Sequence, residues 1–240
     1  MKNIFAVMPV ANEEATIEQD IRKILDLRLD GLQVAIVMDN FSRDRTAEIV
    51  KRLSRADGRV HYVFHERSNG VVSCYLYGFK YALEHGADYI IEMDSGGSHS
   101  PLDIPRFISY LNQGYDCVFG SRFASDGRIV NVPFYRKFIS WGGTLLANLF
   151  LGTNLTDMTS GFEAFNRRVL EKFNFERFLS RGHIYQTEMK FYCRKFKCIE
   201  IPIVYKGSGS SFKFKSVREA FAVLFLLIKE RLLRRGGHLK

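Results

Sequence analysis

The run Asn3-Ile4-Phe5-Ala6-Val7-Met8-Pro9-Val10, continuing into Ala11-Asn12-Glu13-Glu14-Ala15-Thr16, decides the fold class. Residues 3–8 are a compact apolar run of strand length, and residues 12–16 have the polar, acidic character of a helix start. The same alternation repeats outward from there. Residues 33–38 form a second buried-strand pattern ending in Asp39-Asn40-Phe41-Ser42, and a helix follows over about 43–53. Residues 60–64 read as a third strand, 70–84 as a helix, and 89–93 as a fourth strand running into Asp94. Strands alternating with helices imply βαβ units, a mostly parallel sheet and right-handed crossovers, with helices on both faces.

In such α/β sheets the ligand lies beyond the carboxyl ends of the strands. Polar groups stand there three times: Asn12-Glu13 after the first strand, Asp39-Asn40 after the second, Asp94 after the fourth. Each could simply cap the next helix. Three converging on one crevice favour a binding site.

The second half is less regular. Residues 115–119 read as a fifth strand leading into Gly120-Ser121-Arg122-Phe123, and a helix covers about 136–151. Residues 157–162 read as a turn-rich loop, 167–172 and 184–196 as helices, 198–205 as a last strand, 206–211 as a Gly/Ser-rich flexible loop, and 217–235 as a final helix. The expected organisation is one compact domain with a first half (1–119), a second half (120–212) and a C-terminal amphipathic helix (213–240).

Composition bounds the rest. The 240 residues, 46% apolar and 25% charged, rule out disorder and a disulfide-stapled miniprotein. Cys74, Cys117, Cys193 and Cys198 complete no zinc set and read as reduced thiols of a cytoplasmic core. The formal charge of +9 predicts an anionic partner without choosing among nucleic acid, lipid and phosphorylated small molecules. No nucleic-acid motif accompanies the charge, so nucleic acid is not expected. The N-terminus reads as a strand rather than a signal peptide, and no stretch reaches the ~18 apolar residues that cross a bilayer.

Six motifs in order carry a resemblance. They are Pro9 to Glu14 with Ile17, Asp39 to Thr46, residues 70–82 with Gly78-Phe79-Lys80-Tyr81-Ala82, Glu92-Met93-Asp94 with His99-Ser100-Pro101, Gly120 to Phe123 with Arg136 and Ser140, and Asp157 to Phe162. The sequence resembles the family 2 glycosyltransferases of GT-A fold, and within them the dolichyl- and polyprenyl-phosphate mannosyl- and glucosyltransferases. The resemblance implies a nucleotide-sugar in the strand-end crevice, with Glu13 and Asp39 on base and ribose, Pro9, Ala11 and Asn40 beside them, and Asp94 facing the diphosphate. It implies that Arg122, Arg136 and Ser140 bind the phosphate of a polyprenyl-phosphate acceptor, for which an arginine fork is well shaped. An internal ion pair or a solvated surface is the alternative place for either arginine. The implied reaction is an inverting displacement at the anomeric carbon by a phosphate oxygen, already ionised at neutral pH. Asp94, Arg122 and Glu188 are the catalytic candidates. Glu188 would be the general base if the acceptor were a hydroxyl; it could equally pair with Lys190 or Arg194.

The sequence also departs from the family. In Asp94-Ser95-Gly96-Gly97-Ser98-His99, Gly96 stands for the second acid of the family's Asp-x-Asp and Ser98 for its glutamine. Asp94 remains as the one metal ligand for Mg²⁺ or Mn²⁺, unless the two glycines bring backbone N–H groups to the diphosphate instead. Asn40 replaces an acid, Ala11 an aromatic, and the family's late arginine is absent, leaving Lys206, Lys213 or Lys215 in its place. Three readings follow: a metal-independent transferase, a weakly metal-dependent one, or a binding subunit that has lost activity. Finally, residues 220–228 are nine consecutive apolar residues flanked by Lys213, Lys215, Arg218, Lys229, Arg231, Arg234 and Arg235. That pattern predicts peripheral association with the cytoplasmic face of a membrane or with a small membrane partner.

Overall fold

In the computed structural model of this chain, residues 1–207 and 214–233 are described, the side chains of 214–217 excepted. The first strand, β1 (Ile4–Val10), is buried along its whole length. Phe5 and Val7 enter one core while Ile4, Ala6 and Met8 enter another, as the period of two requires of a strand covered on both faces. Parallel partners flank it: β2 (Leu32–Asp39) and then β3 (Val60–His65) on one side, β4 (Tyr89–Glu92) on the other. Beyond β4 come β7 (Glu163–Asn166), β5 (Cys117–Ser121) and β8 (Cys198–Pro202), giving the order β3-β2-β1-β4-β7-β5-β8. Only β7 is antiparallel to its neighbours in this sheet. A second, two-stranded sheet pairs β6 (Arg128–Val130) with β9 (Val204–Lys206).

Helices α1 (Ile17–Leu25), α2 (Thr46–Ala56) and α4 (Ile104–Asn112) cover one face, through Ile17, Ile21, Ile24, Val50, Phe107 and Leu111. The other face is covered mainly by α3 (Val71–Glu84) and α7 (Tyr185–Cys193), with α6 (Arg167–Leu170) beside them. The long helices α5 (Phe134–Leu151) and α8 (Phe214–Leu232) add only a few residues there, among them Ala147, Leu151, Val223 and Leu227. On α3, Gly78 lets the helix lie directly on the sheet. A Cβ there would stand 2.4 Å from Val7 Cγ1 and 2.8 Å from Val37 Cγ2, distances no side chain tolerates.

The α/β fold with a mostly parallel sheet is therefore as expected, and the departures are local. The helix expected from 43 starts at Thr46, because Asp44 accepts the Thr46 N–H and also holds the Glu14 N–H, both at 3.0 Å. The strand expected over 198–205 is two strands. Pro202 has no N–H to extend the ladder, and the Ile203 N–H turns to Ser121 O at 3.0 Å before β9 joins β6. The expected sequence pattern contains neither α4 nor β7. Pro105 sits in the first turn of α4, where its missing N–H costs nothing. β7 has four residues and a buried Glu163, so it shows no hydrophobic period. The 119/120 division falls inside β5, so strands of the second half complete the first half's sheet. Most of the 206–211 loop, with Lys213, Arg234 and Arg235, lies outside the described residues, as does the Lys215 side chain.

Candidate active site

The segments after β1 and β2 are tied to each other before any ligand is considered. Asn12, at φ 57°, donates its N–H to Ser42 Oγ at 3.1 Å and accepts from the Arg43 N–H at 2.8 Å. The Glu13 N–H donates to Thr46 Oγ1 at 2.8 Å. Asp39 accepts the Phe41 N–H at 3.0 Å, and the Asn40 amide donates to Glu66 O at 2.7 Å. Pro9 is buried in β1, and its carbonyl accepts from Ser95 Oγ at 3.1 Å, so the first and fourth strand ends are also joined. The expected crevice is thus a braced unit of three loops, with Ala11 half-buried on it.

Asp94 sits at the end of β4. Tyr75 of α3 donates its hydroxyl to Asp94 Oδ1 at 2.6 Å, and the Asp94 N–H donates to His99 Nδ1 at 3.3 Å. His99 is buried and stacks on Phe162 at 4.9 Å; burial pushes its ring pKa down, so it serves as a neutral acceptor. The next turn explains the missing second acid. Gly96 and Gly97 both lie in the left-handed region, at φ 79° and 70°. The Gly96 N–H donates to Asp20 Oδ2 at 3.0 Å, and Gly97 adds to the same carboxylate. A Cβ on Gly96 would stand 3.2 and 3.4 Å from the two Glu13 carboxylate oxygens. The Gly96 N–H is therefore committed to Asp20, which corrects the expectation that it turns to a diphosphate. Burial raises the Asp20 pKa, opposed by that N–H.

Among the described residues no group of three or more His, Cys, Asp or Glu side chains could hold a metal ion. A cation at Asp94 would draw its other ligands from the diphosphate and water. Where a second acid would project from position 96, the space is bounded by the carboxylate of Glu13.

On the other side of β4, Arg122 follows β5 and forms a fork-to-fork pair with Asp157: Nε to Oδ2 at 2.7 Å and Nη2 to Oδ1 at 2.8 Å. Nη2 also meets Thr159 Oγ1 at 2.5 Å, and the guanidinium lies 5.5 Å from the Tyr205 ring centre. Burial pushes the fully buried Asp157 up, yet Arg122 outweighs it and holds the carboxyl below its usual range. Glu200 completes the brace by accepting the N–H groups of Thr156 and Asp157 at 2.6 and 2.9 Å. No described residue accepts from Arg122 Nη1. Arg136 and Ser140 are half-buried, one turn apart on α5, and so share a face.

Glu188 is not part of this surface. It is fully buried, and its oxygens accept the N–H groups of Leu179 (2.8 Å) and Ser180 (2.9 Å) and the Ser180 hydroxyl. Nor does it pair with Lys190, which meets Glu163 and Ser160 O, or with Arg194, which turns to Phe191 O. Its sequence position marked it as a helix carboxylate and carried no signal of the loop it holds. Between the two halves lies a buried network: Tyr185 and Gln186 donate to Glu92, which faces Glu163 across the β4–β7 pair, with Lys190 answering Glu163. Burial and the facing Glu163 keep Glu92 protonated well above the usual carboxylate range. Sequence reasoning missed Tyr75, Asp20 and the pairing of Asp157. Asp20 had a signal, an acid inside the buried stripe Ile17, Ile21, Ile24 of α1.

A braced three-loop crevice at the carboxyl ends of a mostly parallel sheet is where an α/β enzyme binds its ligand. Residues 5–173 match the family described as Glycosyl transferase family 2, and the chain belongs to that family. Undecaprenyl-phosphate mannosyltransferase of Micrococcus luteus is 31% identical over 204 residues, 84% of this chain and 83% of the relative. Polyprenol monophosphomannose synthase of Mycolicibacterium smegmatis is 32% identical over 214 residues, covering 84% and 79%. Among solved structures, glucosyl-3-phosphoglycerate synthase of Mycobacterium tuberculosis with uridine diphosphate shares the fold, with a TM-score of 0.70 and 19% identity over 95% of this chain and 80% of that one. The chain is a glycosyltransferase, and nothing in these relatives supports the binding-subunit reading.

Proposed function

We propose that this transferase moves a mannosyl unit from a nucleoside diphosphate sugar to the phosphate of a polyprenyl lipid. The observation that carries the reading is α5. Its first turns carry Arg136 and Ser140 among the exposed Phe134, Tyr135 and Phe138, and its later turns expose Trp141, Leu145, Leu149 and Phe150. A phosphate-binding end continuous with an apolar surface is what an amphiphilic phosphate requires. A groove of about 270 Å³ lined by Phe123, Trp141, Thr144, Leu145 and Leu155 runs along that helix. The mannose and the lipid phosphate are taken from the names of the relatives in Micrococcus and Mycolicibacterium.

In this reading Glu13, Asp39 and Asn40 hold base and ribose, with Pro9 and Ala11 beside them, and Asp94 faces the diphosphate. Arg122, through Nη1, joins Arg136 and Ser140 on the acceptor phosphate. A phosphate oxygen attacks the anomeric carbon, the bond to the diphosphate breaks with its electron pair leaving on the nucleotide, and the configuration inverts. The acceptor is already an anion, so no proton must be removed, and Glu188 has no part in the step. Because the Asp94 loop is not built to cage a cation, no step is assigned to Mg²⁺ or Mn²⁺. Lys206 is a candidate cation for the leaving diphosphate: its backbone N–H donates to Ser98 O at 3.0 Å, which puts the residue beside the loop that follows Asp94.

The same surface extends to α8, where Phe221, Phe225, Leu226 and Leu232 are exposed. Arg231 ties the two helices by donating to Phe150 O at 2.7 Å, the carbonyl end of α5, against Gly152 at φ 66°. Among the described residues no helix is long and apolar enough to cross a membrane. An apolar layer with Lys137, Arg218, Lys229 and Arg231 around it suits docking on an anionic bilayer, and the cytoplasmic face belongs to this proposal. Incubating the protein with undecaprenyl phosphate and radiolabelled GDP-mannose or, separately, radiolabelled UDP-glucose tests the whole reading. A chloroform-soluble product labelled from GDP-mannose is expected; label entering the lipid from UDP-glucose alone, or transfer only to water-soluble acceptors, would overturn it.

A further inference from the structure

We infer that Tyr75 is a positioning residue for the transfer reaction, its hydroxyl fixing the carboxylate of Asp94 from beneath the donor crevice. The inference rests on the reading of Asp94 as the group facing the diphosphate. Tyr75 is 2% exposed, within the core under α3, where a phenylalanine would fill the same space without a polar atom to satisfy. Its hydroxyl is spent on Asp94 Oδ1 at 2.6 Å, a short charge-assisted hydrogen bond. Three features fix where the ring points. Gly78, nearly one turn on, lets α3 settle against Val7 and Val37, which lowers Tyr75 to the level of the β4 end. The Tyr185 ring stacks on it at 6.1 Å and 8°, and Tyr185 is itself held by Glu92, two residues before Asp94. Phe79 closes the side at 6.2 Å.

Asp94 is then held twice. Its N–H is fixed by His99 and its Oδ1 by Tyr75, and no described residue donates to Oδ2. One carboxylate without a second acid beside it must have its orientation set by the protein, because no partner ligand sets it. That is the demand Tyr75 meets.

The test compares Tyr75→Phe, Asp94→Asn and the double variant in single-turnover mannosyl transfer to undecaprenyl phosphate. Tyr89→Phe serves as the control, because it removes a hydroxyl bound at 3.0 Å to Asn112 Oδ1 and outside the Tyr75 stack. Loss of one charge-assisted hydrogen bond predicts a fall in kcat of about tenfold for Tyr75→Phe. The acceptor KM should stay within about twofold and Tyr89→Phe should retain its kcat. In the Asp94→Asn background the Tyr75 change should add less than about twofold. An equal tenfold loss in both backgrounds, an equal loss in Tyr89→Phe, or an unchanged Tyr75→Phe would each overturn the inference. If Asp94→Asn itself turns over like the wild type, the donor-site reading fails instead.

Discussion

Gly96→Asp would restore the family's second acid, and the structure predicts that it damages the protein without creating a metal site. Three costs add. Residue 96 sits at φ 79°, where an L side chain costs roughly 1–2 kcal/mol, aspartate being among the more tolerant. Its Cβ would stand 3.2 and 3.4 Å from the Glu13 carboxylate oxygens, so Glu13 must give way. The new charge would then lie within several ångströms of Glu13, a repulsion of about 1 kcal/mol in a well-hydrated crevice. A total of roughly 2–3 kcal/mol lowers the midpoint of thermal unfolding by about 5–10 °C in a domain of this size. Circular dichroism melts with and without Mn²⁺, paired with calorimetric titration of GDP in Mn²⁺ or EDTA, would measure it. The expected result is a lower melting point that Mn²⁺ does not restore and a GDP affinity no more Mn²⁺-dependent than the wild type's. A variant that melts like the wild type and binds GDP tenfold more tightly with Mn²⁺ would refute the reasoning, by showing the turn free to accept a second ligand.

Arg122→Ala should abolish transfer and destabilise the fold by about 3–5 kcal/mol in urea unfolding, because it strands the buried Asp157 carboxylate; Arg122→Lys should recover part of the stability. Asp157 is held below its ordinary value of 3.8, so its contribution is present above about pH 4 and is lost as the pH falls further through its folded value. Asp157→Asn should therefore be less stable than the wild type at neutral pH and lose stability less steeply on acidification below pH 4, followed by urea midpoints at stepped pH. Gly78→Ala should cost at least about 1–3 kcal/mol, since its Cβ would meet Val7 Cγ1 at 2.4 Å, read from the same urea curves. Leu149→Glu with Phe225→Glu should cut sedimentation with anionic vesicles severalfold while leaving the melting point within a few degrees, both side chains being exposed.

What the sequence made legible was set by short-range pattern. The apolar runs of β1, β2 and β4 and the polar groups behind them specify a parallel sheet and a crevice because each strand and its loop are contiguous. The site residues fixed by contacts distant in sequence were not legible. Asp157 is 35 residues from Arg122, and Asp20 is 76 from Gly96. Tyr75 reads as one more aromatic of an apolar helix until α3 is laid on the sheet. β7 was invisible because a strand of four residues between two others needs no hydrophobic period of its own, its charge being answered by Lys190 from α7.

The uncovered apolar surface was legible only in part. Nine apolar residues in a row drew attention to 220–228, yet the larger uncovered face is on α5, whose sequence mixes Ser140, Gly142, Gly143, Thr144 and Asn148 among its aromatics. Those small and polar residues are the ones the domain uses: Thr144 accepts the Met158 N–H, and Asn148 holds Leu155 O. α5 buries Thr144, Ala147 and Leu151 and leaves a broad aromatic and aliphatic face outside. An exposed apolar face of that kind costs stability in water, a cost that an apolar outer medium removes, and this is the physical ground of the proposal that the transferase works at a lipid surface.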